Sequence, residues 1–283
     1  MGLPILGIDL LDAVQANLDK IVIGAMFSPE TLGYYFVAQR IGIIVTDLIV
    51  SVLSRVSLST FSRVQHDLPR LNRIFRQMTF VAAAVSMFIF GLLAVFAPQA
   101  LSTLFGHQWD DAVPILRVLA PGWALSAVMY FDRAMFLATA NAKAGLLIAL
   151  FQNVVGIGLL FAFAPFGVMG IAFSRLARLV VWPVRVYVLW RVVKIDVWRY
   201  IMQTVRCVSA ILPVLAALSI LLLTPWADAP AELWTFVLPT SLVSLAVYAT
   251  LLWFVAGEEN RIVLRSIALD LRRRRGRLES AKR

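Results

Sequence analysis

One cysteine, Cys207, stands in a chain of 283 residues. No intrachain disulfide can form, and the redox compartment leaves no mark on the sequence. Histidine is almost as scarce: His66 and His107 lie far apart, with no metal-ligand spacing around them. No Walker A, GxSxG or HExxH pattern occurs, and no Gly-rich phosphate loop. Charged residues make up 15% of the chain, against ~25% in soluble domains. The N-terminus has neither a basic n-region nor a small-residue cleavage site, so we expect no cleaved signal peptide. Nothing here points to metal chemistry, nucleophilic hydrolysis or phosphate-loop nucleotide binding.

What is abundant is apolar sequence, 61% of residues, with a mean hydropathy of +0.85. It comes in long runs rather than short alternating ones, which is the mark of an all-α, polytopic helical membrane protein. We place eight membrane helices at about 3–27, 32–58, 74–97, 113–139, 142–164, 168–192, 204–224 and 233–256, each at or above the ~20 residues a crossing needs. The net charge of +10 would suggest nucleic acid in a soluble protein. Here the cations gather in particular connectors, which is a topology signal, and no nucleic-acid partner is expected.

The connectors fall into two sets that alternate strictly. "SPET", "APQALSTLFGHQWDDAVP", "APFGV" and "TPWADAPAEL" carry Glu30, Asp110, Asp111, Asp228 and Glu232, and no Lys or Arg. "SRVQHDLPRLNRIFRQ", "NAKAG", "RVVKIDVWRYIMQTVR" and the tail with "RRRRGR" carry the cations. The positive-inside rule makes the basic set cytoplasmic and so puts both ends of the chain there. The tail mixes Ile262, Val263, Ile267, Leu271 and Leu278 with its charges. It reads either as a polybasic helix on anionic lipid or as a stop signal with a disordered end.

Polar residues inside the apolar runs need a reason, because a buried charge there costs roughly 2.5–3.5 kcal/mol on insertion scales. In the first helix Asn17, Asp19 and Lys20 interrupt the run, with Asp9 and Asp12 nearer its start. Asp19 is either an ion-coupling group or a salt-bridge partner. In the second, Arg40, Asp47, Ser51, Ser54 and Arg55 share one face at 100° per residue, opposite Ile, Val and Leu. In the fourth, Arg117 sits near the outer end, and Asp132 and Arg133 near the inner end could pair with one another. In the fifth, Lys143 reads as a loop charge, and Gln152 and Asn153 as either ligand contacts or interhelical glue. The sixth, "SRLARLVVWPVRVYVLW", aligns Arg175, Arg178 and Arg185 with Trp182 on one stripe, the arginines spanning ~15 Å of depth. Pro183 is expected to bend it. One reading is a cationic wall for a phosphate or diphosphate; the other is snorkelling of Arg178 and Arg185 to the interface.

Several stretches resemble one family. "NLDKIVIGAMFSPETLGYYFVAQRIG", "VSLSTFSRVQHDLPRLNRIFRQ", "LFGHQWDDAVPILRVLAP" and "FGVMGIAFSRLA" are similar, in order, to segments of bacterial polysaccharide-repeat flippases, the Wzx-like exporters. The resemblance covers about residues 5–195. It implies the multidrug/oligosaccharidyl-lipid/polysaccharide exporter fold: fourteen helices, two six-helix lobes around a central cavity, and two extra helices. This chain would correspond to helices seven to fourteen, half of a MATE-like fold. Residues 1–195 would be the second lobe, 196–257 the two added helices and 258–283 a basic cytoplasmic tail. The implied activity is flipping of an undecaprenyl-diphosphate-linked oligosaccharide across the bacterial inner membrane, without covalent chemistry. Arg40, Arg175 and Arg178 would meet the diphosphate. No cofactor is implied; Na⁺ or H⁺ coupling would run through Asp19 or Asp47. The implied partners are membrane lipids, the polysaccharide polymerase and export machinery, and a first lobe or second chain to complete the cavity. The alternatives are a cation-coupled antiporter on the same fold, for which three arginines are a poor lining, and a non-transporting scaffold or inert truncation.

Overall fold

The computed structural model describes residues 10, 17–64, 67–139, 141–222 and 236–265, without the side chains of 52–60, 62, 133 and 142. The described residues are helical, with no strand among them. We number the helices α1 (17–26), α2 (Pro29–Arg63), α3 (Leu68–Val95), α4 (Ala97–Phe105), α5 (Ala112–Ala138), α6 (Ala142–Phe163), α7 (Gly167–Ala177), α8 (Trp182–Val193), α9 (Val197–Leu222), α10 (Leu238–Val255) and α11 (258–265).

Among these residues six stretches are long and apolar enough to cross a membrane. One of them, Lys143–Val193, has 51 residues, ~76 Å of helix, more than twice the hydrocarbon thickness. It folds back on itself. A 3₁₀ turn at Ala164–Phe166 ends α6, and Gly167 at φ +81 turns the chain, a left-handed conformation in which glycine carries no Cβ penalty. α7 then packs back against α6. The six stretches therefore hold seven helical passes, and the first helix expected at about 3–27 is described from 17 onward, as α1. The protein is an all-α, multi-pass membrane protein.

Connector chemistry sets the boundaries. Ser28 caps α2, accepting from the Thr31 N–H at 3.2 Å, with Pro29 as the first helical residue. Asp67 caps α3 through the Arg70 N–H at 3.1 Å. Because that cap precedes "LPR", α3 starts at Leu68 rather than near 74. α9 likewise begins at Val197, ahead of the expected 204. The connector "APQALSTLF", expected as loop, is the short helix α4. It buries Ala97 and Leu101 and leaves Leu104 and Phe105 exposed, as suits a helix lying along the membrane surface.

α3 and α5 are the central pair. α2 packs on α5, α9 on α3, and α10 on α9. One apolar core runs through all of them, from Ile23 and Ala38 through Phe90, Leu116 and Trp123 to Cys207, Tyr248 and Leu252. A second core, with Phe61, Phe75, Phe131, Leu189 and Tyr200, fills the other end. The α2–α5 contact is close because Gly42 faces Trp123: a Cβ there would overlap the indole.

The charges separate to the two ends of this bundle. Asn72 donates to the Lys194 carbonyl at 3.1 Å, and Arg76 and Arg199 each bond Glu259 at 2.9 Å. These contacts gather the starts of α3, α9 and α11 and the turn after α8 at one end, rich in arginine and lysine. At the other end Tyr34 donates to Glu30 at 2.8 Å and meets Trp109 edge-on at 5.9 Å, near Asp110 and Asp111. Arg117 also lies toward this acidic end, where its Nε donates to the Ala94 carbonyl at 3.1 Å and satisfies the end of α3.

Candidate functional site

The stripe of arginines predicted on one long helix lies on two. α7 stops after Ala177, a 3₁₀ turn covers Arg178–Val181, and α8 starts at Trp182 with Pro183 in its first turn. Proline has no N–H for the Leu179 carbonyl, and the Trp182 N–H takes that acceptor in 3₁₀ fashion instead. The tighter turn keeps Arg175, Arg178 and Arg185 on one side. All three line a cavity of about 100 Å³ between α5, α6 and the α7–α8 break, together with Ser126, Gln152 and Trp182.

Each cation is held by a fully buried carboxylate. Asp19, on α1, is 0% exposed and receives the Nε of Arg175 and, at 3.2 Å, the Nη2 of Arg178. Tyr35, also fully buried on α2, donates its hydroxyl to the same carboxylate at 2.9 Å. Deeper toward the basic end, Asp132 on α5 is 0% exposed and lies 2.9 Å from the Arg185 Nε. Tyr200 on α9 donates to it at 3.3 Å. The other two nitrogens of Arg185 donate to Gln152 Oε1 at 3.1 Å and the Met129 carbonyl at 3.3 Å.

This arrangement offers more donors than its protein partners accept. Among the described residues, Arg175 Nη2, Arg178 Nε and Trp182 Nε1 are buried without a hydrogen-bond acceptor. Three guanidiniums against two carboxylates leave one net positive charge. Buried guanidiniums with spare N–H groups are the donors that phosphate oxygens take in bidentate fashion. The carboxylates set where the arginines point; they do not use up their donors.

The structure places the other sequence candidates elsewhere. Arg40 and Asp47 are exposed on α2, on one stripe with Phe36 and Ser51, and among the described residues neither forms an ion pair. Arg40 is not brought to the arginine cavity. Lys20 is half-buried, its ammonium 5.3 Å from the ring centre of Phe36, a cation–π contact rather than a bond to Asp19. Asn17 is exposed. Gln152 joins the cavity, but Asn153 turns to the Ala149 carbonyl of its own helix at 2.8 Å. Asp132 pairs with Arg185; the side chain of Arg133, the partner that adjacency suggested, lies outside the described residues. Asp9, Asp12 and the tail from 266 onward lie outside the described residues. Among the described residues no group of three His, Cys, Asp or Glu could hold a metal.

Tyr35 and Tyr200 were not singled out from sequence. The signal for Tyr35 was present: a phenol in an apolar helix needs a buried polar partner, and "LGYY" lies one hairpin from Asp19.

Comparison with known proteins reaches Asp19 and Tyr35 through a family match that ends before the cavity arginines. Residues 1–114 match the family described as polysaccharide biosynthesis protein. The teichuronic acid biosynthesis protein TuaB of Bacillus subtilis is 32% identical over 134 residues, 47% of this chain and 28% of that protein. The succinoglycan biosynthesis transport protein ExoT of Rhizobium meliloti is 30% identical over 118 residues, 41% of this chain and 23% of its own length. The lipopolysaccharide biosynthesis protein WzxC of Escherichia coli is 21% identical over 111 residues, 39% of this chain and 22% of that one. The matches thus span about a quarter of each relative. No solved structure matches the chain. The likeness to Wzx-like polysaccharide proteins stands, and the family match ends at 114, short of the 195 over which the sequence motifs run.

Proposed function

We propose that this chain forms one lobe of a flippase that carries an undecaprenyl-diphosphate-linked oligosaccharide across the bacterial inner membrane. The observation that carries the reading is the cavity of Arg175, Arg178 and Arg185, with guanidinium and indole donors left over after Asp19 and Asp132 have taken their share. A diphosphate presents two anionic groups within one sugar's length, and arginines spaced over ~15 Å of depth would hand it along the membrane normal. Membrane crossing by such a headgroup needs screening from hydrocarbon and no bond-making, so the chain acts as a transporter rather than an enzyme.

The exposed polar stripe of α2, with Arg40, Asp47 and Ser51, supports a second element of the proposal. A charged stripe of this kind is costly against lipid. It would face the translocation path, closed on its far side by a second lobe or a second chain. The basic end would be cytoplasmic, both chain ends with it, next to the polymerase and export machinery that consume the repeat unit. Coupling to Na⁺ or H⁺ would act through a carboxylate that substrate phosphate displaces from its arginine, which favours Asp19 over the exposed Asp47. A cation-coupled antiporter of small amphipathic molecules fits less well, because both buried carboxylates are engaged by arginine.

The test is a chromosomal Arg175→Ala, Arg178→Ala double variant. Surface polymer should fall at least about tenfold while the amount of the protein in the membrane stays unchanged. Arg175→Lys should recover only part of it, since an ammonium cannot replace a two-pronged guanidinium. Unchanged polymer at equal protein level would overturn the proposal.

A further inference from the structure

A second basic pocket lies at the arginine-rich end, away from the transport cavity, between the starts of α3 and α9 and the segment that follows α10. Its volume is about 440 Å³, and its walls include Arg76, Arg199, Arg206 and Trp198, with three cations against the carboxylates of Glu258 and Glu259, a size in the ~300–1,000 Å³ range of small-molecule sites. We propose that it binds the phosphate headgroup of an anionic phospholipid from the surrounding membrane.

The chemistry starts from Arg206. It lies nine residues along α9, ~13 Å from the helix start, just before the apolar run from Cys207 to Leu222. Among the described residues no carboxylate is within ion-pair distance of it. Its guanidinium instead lies against the backbone of Gly257, where a Cβ would come within 2.8 Å of Nη1. An arginine without a carboxylate at that depth wants an anion from outside the protein.

Arg76 and Arg199 already show what such an anion looks like. Both bond one carboxylate, Glu259, at 2.9 Å each, and the Arg76 hydrogen bond is the main cause that lowers the Glu259 pKa. Glu259 belongs to α11, so the clip also fastens that segment to α3 and α9. Its carboxylate stands where a phosphate oxygen could compete. Gln203, buried in the pocket wall, donates to Thr79 at 2.6 Å, which ties the wall to α3.

The source of the phosphate follows from what lies below the pocket. Trp198, 70% exposed, Met202, Val205 and Leu212 fall on one outward stripe of α9. The stripe leaves the pocket and runs into the membrane. An interfacial tryptophan above an apolar track suits a glycerophospholipid, whose phosphate meets the arginines while its acyl chains lie along α9. Basic pockets between membrane helices at the cytoplasmic side take anionic headgroups in this way. A soluble phosphate would have no use for the track.

The experiment titrates the purified full chain in neutral detergent with phosphatidylglycerol, phosphatidylcholine and inorganic phosphate, reading bound lipid by native mass spectrometry. All variants keep the basic tail, so its contribution cancels. Phosphatidylglycerol should bind in preference to phosphatidylcholine. Arg206→Ala should weaken it about fivefold, the effect of one interfacial cation. Glu259→Gln should strengthen it, because a competitor is removed while the segment keeps its length and shape. Unchanged binding by Arg206→Ala, or weaker binding by Glu259→Gln, would overturn the proposal. Displacement of the lipid by inorganic phosphate at equal concentration would overturn the lipid as its source.

Discussion

At the residue scale the decisive group is Asp19. A carboxylate with no exposure would be prohibitive alone; with Arg175, Arg178 and Tyr35 around it, it becomes the point on which two cavity arginines are fixed. Removing one member of a buried ion pair costs about 3–5 kcal/mol, because the partner charge stays behind without compensation. We therefore expect Asp19→Asn to lower stability by that order, measured by thermal unfolding in detergent. Tyr35→Phe should cost less, about 1–3 kcal/mol, since it strips one hydrogen bond, from an uncharged donor, off a carboxylate that keeps both arginines. Adding Arg175→Gln to Asp19→Asn should recover part of the loss. A double variant no better than the single one would show that the pair does not couple. The sequence made Asp19 and Arg175 visible as costly residues in apolar helices. It could not join them, because 156 positions separate them and helical spacing relates only near neighbours. The same limit hid the Asp132–Arg185 pair, whose members lie 53 positions apart in sequence.

At the scale of elements, apolar length and cap chemistry made the crossings legible, and most boundaries follow from the residues at the ends. Two features were not. The helix expected over 168–192 is broken at Arg178–Val181, and spacing at 100° per residue does not register a 3₁₀ turn, although Pro183 marked the place. The α2–α5 crossing depends on Gly42, which in sequence is one glycine among 15. In an exposed helix a glycine-to-alanine change gains about 0.5–1 kcal/mol. At Gly42 the new Cβ would overlap the Trp123 ring, which is itself packed against Phe90 at 5.9 Å. Overpacking of this kind costs about 1–3 kcal/mol and outweighs the propensity gain. Gly42→Ala should thus lower the melting temperature, whereas Gly158→Ala, with open space around it, should leave it unchanged or raise it. Equal effects at the two sites would mean that α2 and α5 do not meet this closely.

For the molecule as a whole, the separation of charge between the two ends is the property that relates fold to function. On the proposed function, a lipid-linked headgroup made in the cytoplasm would meet the arginine-rich end first. There Asn72, Arg76, Arg199 and Glu259 fasten three helix starts together. It would leave near Glu30, Asp110 and Asp111, where like charge weakens its hold on the protein and favours release. This direction requires the basic end to be cytoplasmic, and it can be tested without any transport assay. Cys207 is buried and can be changed to serine to give a background without thiols. Asp67→Cys, exposed at the start of α3, and Gln108→Cys, exposed in the turn before α5, then report the two ends. In intact cells whose outer membrane is permeabilised, a membrane-impermeant maleimide should label position 108 and spare position 67. Position 67 should become reactive only once the inner membrane is opened. The reverse pattern would invert the protein. The arginine-rich end would then face outward and gather anions from that side, and the arginine cavity would have to serve uptake of an anion instead.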